Sequence, residues 1–146
     1  MIKGRFGNTS GRPYIDGYLE IPHLSVRGNI SFVLDTGSDC TVLMPLDANR
    51  LRLDYARLVG SPQDESQGFN GRSVDFVVPA SLIIREETAF AHGYEIDLRV
   101  PEPKDGTDDI PSILGRDILD HWRFTIDRKS SVIEAIVNWS KQRFDL

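Results

Sequence analysis

The residues with the clearest chemical content are Phe32-Val33-Leu34-Asp35-Thr36-Gly37-Ser38-Asp39, where a carboxylate ends an apolar run and a glycine follows two residues later. A carboxylate at the end of a buried strand is costly unless it is hydrogen-bonded. Gly37 permits a sharp turn that brings backbone N–H groups close to the Asp35 oxygens, and Thr36 and Ser38 add short hydroxyls able to hold its orientation. The segment is built around one acid, and a single acid so held is suited to proton transfer. Taken alone, Asp-Thr-Gly is also what an ordinary Asx turn would use.

A second motif follows, Ile113-Leu114-Gly115-Arg116-Asp117-Ile118-Leu119. With both motifs present in this order, the chain resembles the retropepsin-like aspartic proteases, the single-domain, retroviral-type family, over residues 14–133. The resemblance implies a mostly β, closed acid-protease barrel with one or two short helices, acting as a homodimer. It makes Asp35 the catalytic acid and lays Ile113, Leu114 and Gly115 against the catalytic loop. It pairs Arg116 with Asp39, the acid four residues beyond the catalytic one. Thr36 then braces two loops, Gly37 offers its backbone to substrate, and Ser38 hydrogen-bonds the Asp35 carboxylate. The last contact would favour the ionised carboxylate, give an acidic optimum, and make Ser38→Ala shift activity to higher pH. A flap is implied over about residues 61–78, with Gly68, Phe69, Asn70 and Gly71 at its tip. Three features depart from the compact viral enzymes: a helix-like insertion at 46–58, Phe69 and Asn70 in place of more glycine at the tip, and the tail beyond Val137. The insertion resembles cellular or bacterial members instead. Whether residues 132–137 or 139–146 enter a dimer sheet is open.

Peptide hydrolysis by this route needs two carboxylates that share a proton, one acting as base on a water and one as acid toward the carbonyl. The sequence offers one Asp-Thr-Gly, and its length is about half that expected of a two-lobed enzyme carrying both acids. The second acid is therefore expected from a second copy, with Asp35 of each subunit on a twofold axis and the monomer inactive. The substrate is a polypeptide with apolar residues beside the cut, and no metal or organic cofactor is implied. The rival reading is a non-hydrolytic dimerisation or peptide-binding module; a precursor that needs trimming at one end is a third. Asp117 does not serve as a second acid, because it lacks a Thr-Gly successor and sits where a helix begins.

The elements that must position Asp35 show a hydrophobic period of two rather than 3.6. In residues 14–21, Ile15, Leu19 and Ile21 fall on one face, with Gly17 at a bulge or close contact. Arg27-Gly28-Asn29 reads as a hairpin turn before a strand over 30–34. Residues 41–44 read as a short strand, and Pro45 opens a helix carrying Leu51, Tyr55 and Leu58 at i, i+4, i+7. Residues 61–72 are polar and glycine-bearing, a mobile loop or hairpin tip. Alternation resumes at 74–78, and Pro79 bends or interrupts that strand. Residues 82–84, 94–100, 122–126 and 132–137 complete about eight strands, with a turn-rich loop at 101–111 and a short helix over 117–121.

Composition excludes several other classes. The 146 residues suit one domain, residues 1–146, and the formal charge of −5 gives nucleic acid or anionic lipid no net attraction. Cys40 is the only cysteine, so a disulfide framework or thiolate zinc site is not available within the chain. His23, His92 and His121 show no metal-ligand spacing, and neither a Gly-x-Ser-x-Gly elbow nor a phosphate-binding Gly-rich loop occurs. No apolar run reaches the length of a membrane span, and the opening residues are not of signal-peptide type, so a cytoplasmic location is the expectation.

Overall fold

The computed structural model describes residues 1–68 and 71–146, with all of their side chains except those of 66–68 and 71–73. Strands dominate: β1 (Ile2–Lys3), β2 (Arg5–Phe6), β3 (Pro13–Ile21), β4 (Val26–Leu34), β5 (Gln63–Gly68), β6 (Gly71–Arg85), β7 (Phe90–Pro101), β8 (Ile113–Leu114), β9 (Trp122–Asp127), β10 (Val132–Val137) and β11 (Gln142–Asp145). The helices are α1 (Pro45–Arg50) and α2 (Arg116–Leu119), with 3-10 turns at Pro22–Leu24 and Tyr55–Leu58.

The β3–β4 hairpin delivers Asp35, and its alternation does the anchoring. Ile15, Leu19 and Ile21 of β3 and Ile30, Phe32 and Leu34 of β4 are buried, while their neighbours along each strand are more open. Burying each such side chain contributes about 1.5–3 kcal/mol, so the strand that ends at Asp35 is firmly seated. Gly17 marks a close contact, since a Cβ there would lie 2.8 Å from Ile84 Cδ1. The hairpin turn, however, lies at residues 22–25 and not at Arg27-Gly28-Asn29, which are paired within β4. Pro22 starts the turn and Ser25 closes it in the left-handed region at φ 54°. Gly28 has another use: a side chain there would collide with Leu51.

β6 is one strand of 15 residues, and Pro79 does not interrupt it. The reason is register. Val77 N–H points away from β7 to the Pro62 carbonyl, so by alternation the nitrogen of Pro79 faces the same side. There β5 has already ended, pairing residues 71–76, and β3 begins pairing only at Ser81. Proline costs no ladder bond in that gap.

Residues 41–44 do not form a strand; Val42 alone makes isolated bridges, to Arg99 and to Ile113. The expected helix is two pieces. α1 ends at Arg50, Arg52 adopts φ 60°, and a 3-10 turn resumes at Tyr55 under an Asp54 cap. Leu51, Tyr55 and Leu58 still pack on the core.

Among the described residues the strands form two sheets, and no closed barrel of the expected kind is found. One has the order β11-β7-β6-β3-β4-β8, with β2 on β3 and β5 on β6, and the other is β1-β10-β9. Between them sits one core, including Phe32, Leu43, Leu58, Leu82, Leu98, Leu114 and Trp122. Both end segments pair within their own chain: Val132–Val137 lies between β1 and β9, and Gln142–Asp145 pairs with residues 90–93 of β7. A polar knot reinforces the second pairing. The buried His92 ring lies 3.0 Å from Ser140 Oγ and 2.9 Å from Glu86 Oε1, which makes it a satisfied core histidine. Among the described residues, no helix is long and apolar enough to cross a membrane.

Candidate active site

Asp35 lies one residue beyond β4, half-buried, with its position set from both sides. Its N–H donates to the Leu114 carbonyl at 3.1 Å, continuing a parallel pairing of Val33 with Ile113 and Leu34 with Leu114. Its carbonyl accepts from Ser38 N–H at 3.2 Å, closing the turn. Its carboxylate accepts from Gly37 N–H, 2.9 Å to Oδ1. A Cβ on Gly37 would lie 3.2 Å from that same oxygen, so glycine lets the amide approach the acid without crowding it. Thr36 and Gly37 are exposed. Asp35 therefore stands on a rigid strand end with its carboxylate reachable from outside, a geometry suited to proton transfer with a bound molecule.

The second motif threads through this loop, as the resemblance implies. Ile113–Leu114 runs beside β4 on one edge, and Ile113 exchanges both backbone bonds with Val42 on the other, at 2.9 and 3.0 Å. Gly115 is then pressed against Cys40, where a Cβ would overlap the backbone. Arg116 N–H reaches the Ser38 carbonyl at 2.8 Å and Asp117 N–H the Asp39 carbonyl at 3.2 Å. The side chains of Arg116 and Asp39 form the expected ion pair. It is exposed, and such pairs contribute about 1 kcal/mol or less.

Ser38 differs from expectation. Its hydroxyl donates to the Cys40 carbonyl at 2.7 Å rather than to the Asp35 carboxylate. The turn that brings Gly37 N–H to Asp35 carries the Ser38 side chain toward the outgoing segment at Cys40, so it supports the loop and leaves the acid alone.

A buried brace joins Thr41, outside both motifs, to Asp117 and Gly115 of the second. Thr41, with no exposed surface, donates through N–H and Oγ1 to the two oxygens of Asp117, at 2.9 and 2.7 Å. Gly115 N–H adds a 3.3 Å bond to Thr41 Oγ1. Asp117 does lie in the first turn of α2, but its main work is to join the two motifs. One layer further in, Ser112 Oγ donates to Asp47 Oδ2 at 2.7 Å and accepts from Met44 N–H at 3.0 Å. Buried polar groups satisfied in this way rigidify the loop they hold.

The flap segment expected at 61–78 is a hairpin, with β5 paired to β6 from Gln63↔Phe76 to Gly68↔Gly71. Gly68 and Gly71 face each other at its end, and Phe69 and Asn70 lie outside the described residues. Arg99 ties the hairpin to the sheet, Nη1 to Asp64 Oδ2 at 2.6 Å. Cavities of about 360 Å³, lined by residues including Pro22, Pro79 and Glu95, and about 460 Å³, lined by residues including Arg12, Asp47 and Asp109, both lie away from Asp35. Among the described residues no group of three or more His, Cys, Asp or Glu side chains is placed to hold a metal ion.

Comparison with known proteins places this architecture. A retropepsin-like aspartic protease from Rickettsia conorii superposes with a TM-score of 0.55 at 21% identity, covering 91% of this chain and 86% of that one. EIAV protease, solved with the inhibitor HBY-793, superposes with a TM-score of 0.50 at 22% identity, covering 78% of this chain and 90% of that one. No protein-family model matches the chain, and no curated protein matches it. The chain has the fold of the retropepsin-like aspartic proteases.

Proposed function

We propose that the protein is an aspartic endopeptidase in which Asp35 from each of two identical chains forms the catalytic pair. The observation that carries this reading is Asp35 itself: a carboxylate held by Gly37 N–H at the end of a buried strand, locked by Ile113–Asp117 and left open outward. One carboxylate cannot act as base and acid together, and the sequence has one Asp-Thr-Gly. A twofold axis near Asp35 supplies the second from a copy. The two groups then titrate as a unit; the ionised one takes a proton from a water that attacks the scissile carbonyl, and the protonated one donates to the carbonyl oxygen.

In this reading Thr36 and Gly37, exposed beside the acid, meet the partner loop and the substrate backbone. The β5–β6 hairpin serves as the flap, with residues 68–71 at its tip, closing over an extended polypeptide that adds like an extra strand. The dimer contact involves surfaces other than a simple exchange of the end strands, because β1, β10 and β11 are all paired at home. No cofactor takes part. The fold shared with the two solved proteases supports the reading.

The test is cleavage of a peptide library by the wild type and by Asp35→Asn from about pH 4 to about pH 7, where a coupled carboxylate pair changes state. The expected result is defined cleavage that the substitution removes. Two folded dimers without cleavage would favour the non-hydrolytic peptide-binding module, and equal cleavage by both would assign the activity to a contaminant.

A further inference from the structure

Arg99 connects the two parts of the molecule that an extended peptide would have to meet together. Its backbone holds the segment that leaves the catalytic loop: its N–H donates to the Thr41 carbonyl at 3.1 Å, and its carbonyl accepts from Leu43 N–H at 2.9 Å. Its side chain passes Cys40 and reaches Asp64 on β5, two strands away across β6. The register explains why a cation belongs there. Asp64 stands opposite Asp75, and Val77, two residues further along β6, stands opposite Arg99. Alternation puts Asp64, Asp75 and Arg99 on one face. Like charges directly opposed across two strands repel, so a guanidinium on the diagonal gives the hairpin a reason to pair in this register.

The burial of Arg99 gives the contact its weight. The side chain is 20% exposed, and its Nε is buried without a hydrogen-bond partner. A cation withdrawn from water in this way is retained only if it is paired. Arg99 therefore depends on Asp64, and Asp64, itself 55% exposed, owes its fixed place to Arg99.

We propose that Arg99 is a positioning residue: by holding Asp64 while its own backbone holds Thr41 and Leu43, it sets the span between the β5–β6 hairpin and the Asp35 loop. This deepens the peptidase reading and, for its consequence on substrate, rests on it. Extended peptide occupies that span, so the tie governs how tightly peptide is held more than how fast it is cut. The Arg99 bond keeps the Asp64 carboxyl below its ordinary range, so the tie stays charged in mild acid. Among the described residues, Asp75 and Asp97, on the same face by register, and Cys40 are titratable groups beside it.

The experiment compares Asp64→Asn, which alters an exposed group and leaves the fold intact, with Arg99→Met, which keeps the apolar stem, and with Asp64→Glu, which restores the charge. Amide exchange along β5 and the kinetic constants on a cleaved peptide are both measured. Asp64→Asn and Arg99→Met are expected to speed β5 exchange and raise KM by up to about fivefold, the scale of an exposed ion pair, with kcat little changed. Exchange in β9 and β10 stays as in the wild type, and Asp64→Glu recovers most of both effects. Unchanged β5 exchange in Asp64→Asn would overturn the tie, whether or not the protein cleaves peptides. A fall in kcat at constant KM would overturn the assignment to peptide holding. If the wild type cleaves nothing, the peptidase reading falls, and the exchange data alone decide whether Arg99 holds the hairpin.

Discussion

The loop that carries Asp35 and the β5–β6 hairpin are held by opposite means. The loop is stitched to Ile113–Asp117 by bonds that span more than 70 residues of sequence, among them both Thr41 bonds to Asp117. Thr41 and Ser112 there have no exposed surface. The β5 arm of the hairpin is held by its ladder to β6 and by the ion pair to Arg99, whose acid is mostly in water, while β6 runs on into the sheet beside β7. A loop fixed by buried, fully satisfied groups has one geometry, whereas a hairpin arm fixed by a pair with a largely buried cation and an exposed acid can be displaced at lower cost. The acid is placed by the fold, and the hairpin, which the proposed function makes its cover, is the less firmly held of the two. A peptidase that admits a chain and then encloses it needs this division.

Substitutions can break the contrast at either end. Asp35→Asn is expected to have the largest effect, a loss of at least about a hundredfold in cleavage, with the urea midpoint nearly unchanged because the side chain makes one hydrogen bond. Next comes the brace. Thr41→Val removes the Oγ1 donor to Asp117 and the acceptor of Gly115 N–H while keeping the backbone bond, and should cost about 1–3 kcal/mol in urea unfolding, more than losing the exposed Asp64 pair. Comparable costs for both would erase the distinction between a rigid loop and an adjustable hairpin.

Acid should sharpen the comparison further. The folded pKa of Asp64 lies below its ordinary 3.8, chiefly through the Arg99 bond. Its contribution is therefore full above that ordinary value and is lost as the pH falls through the depressed one. Amide exchange along β5, corrected for intrinsic rates, should stay flat from neutral pH down to about pH 4 and rise only below it. Asp64→Asn should show no such step. The smallest effect expected is that of Ser38→Ala: its hydroxyl serves the Cys40 carbonyl, so the pH profile of cleavage should not move, and a shift to higher pH would restore the contact with Asp35.

Much of the frame around the acid is legible in the sequence because it is local or strongly patterned. The alternation in β3 and β4 and the pairing of Asp35-Thr36-Gly37 with Ile113-Leu114-Gly115 need only short windows to be seen. Gly28 misleads because a glycine between polar residues looks the same whether it turns the chain or makes room for Leu51. Pro79 misleads because its tolerance depends on where β5 and β3 stop pairing, which only the assembled sheet reveals. Thr41 and Asp117 lie too far apart for any spacing rule. Arg99 is hidden by the pattern itself: it alternates with Leu98 and Val100 just as Glu95 and Asp97 do, and reads as one more solvent-facing charge. Its position is distinguished only by the loop packed on one side and Asp64 on the other.

Whether two chains contribute one Asp35 each is decided by mixing them. Wild type and Asp35→Asn are combined in equal amounts, allowed to exchange subunits, and assayed for peptide cleavage at constant total protein. If the pair of acids must come from two chains and mixed dimers are inactive, activity falls to about one quarter of the undiluted wild type, the share of dimers with two intact chains. A fall to about one half would mean that each chain works with its own acid, and would contradict the account.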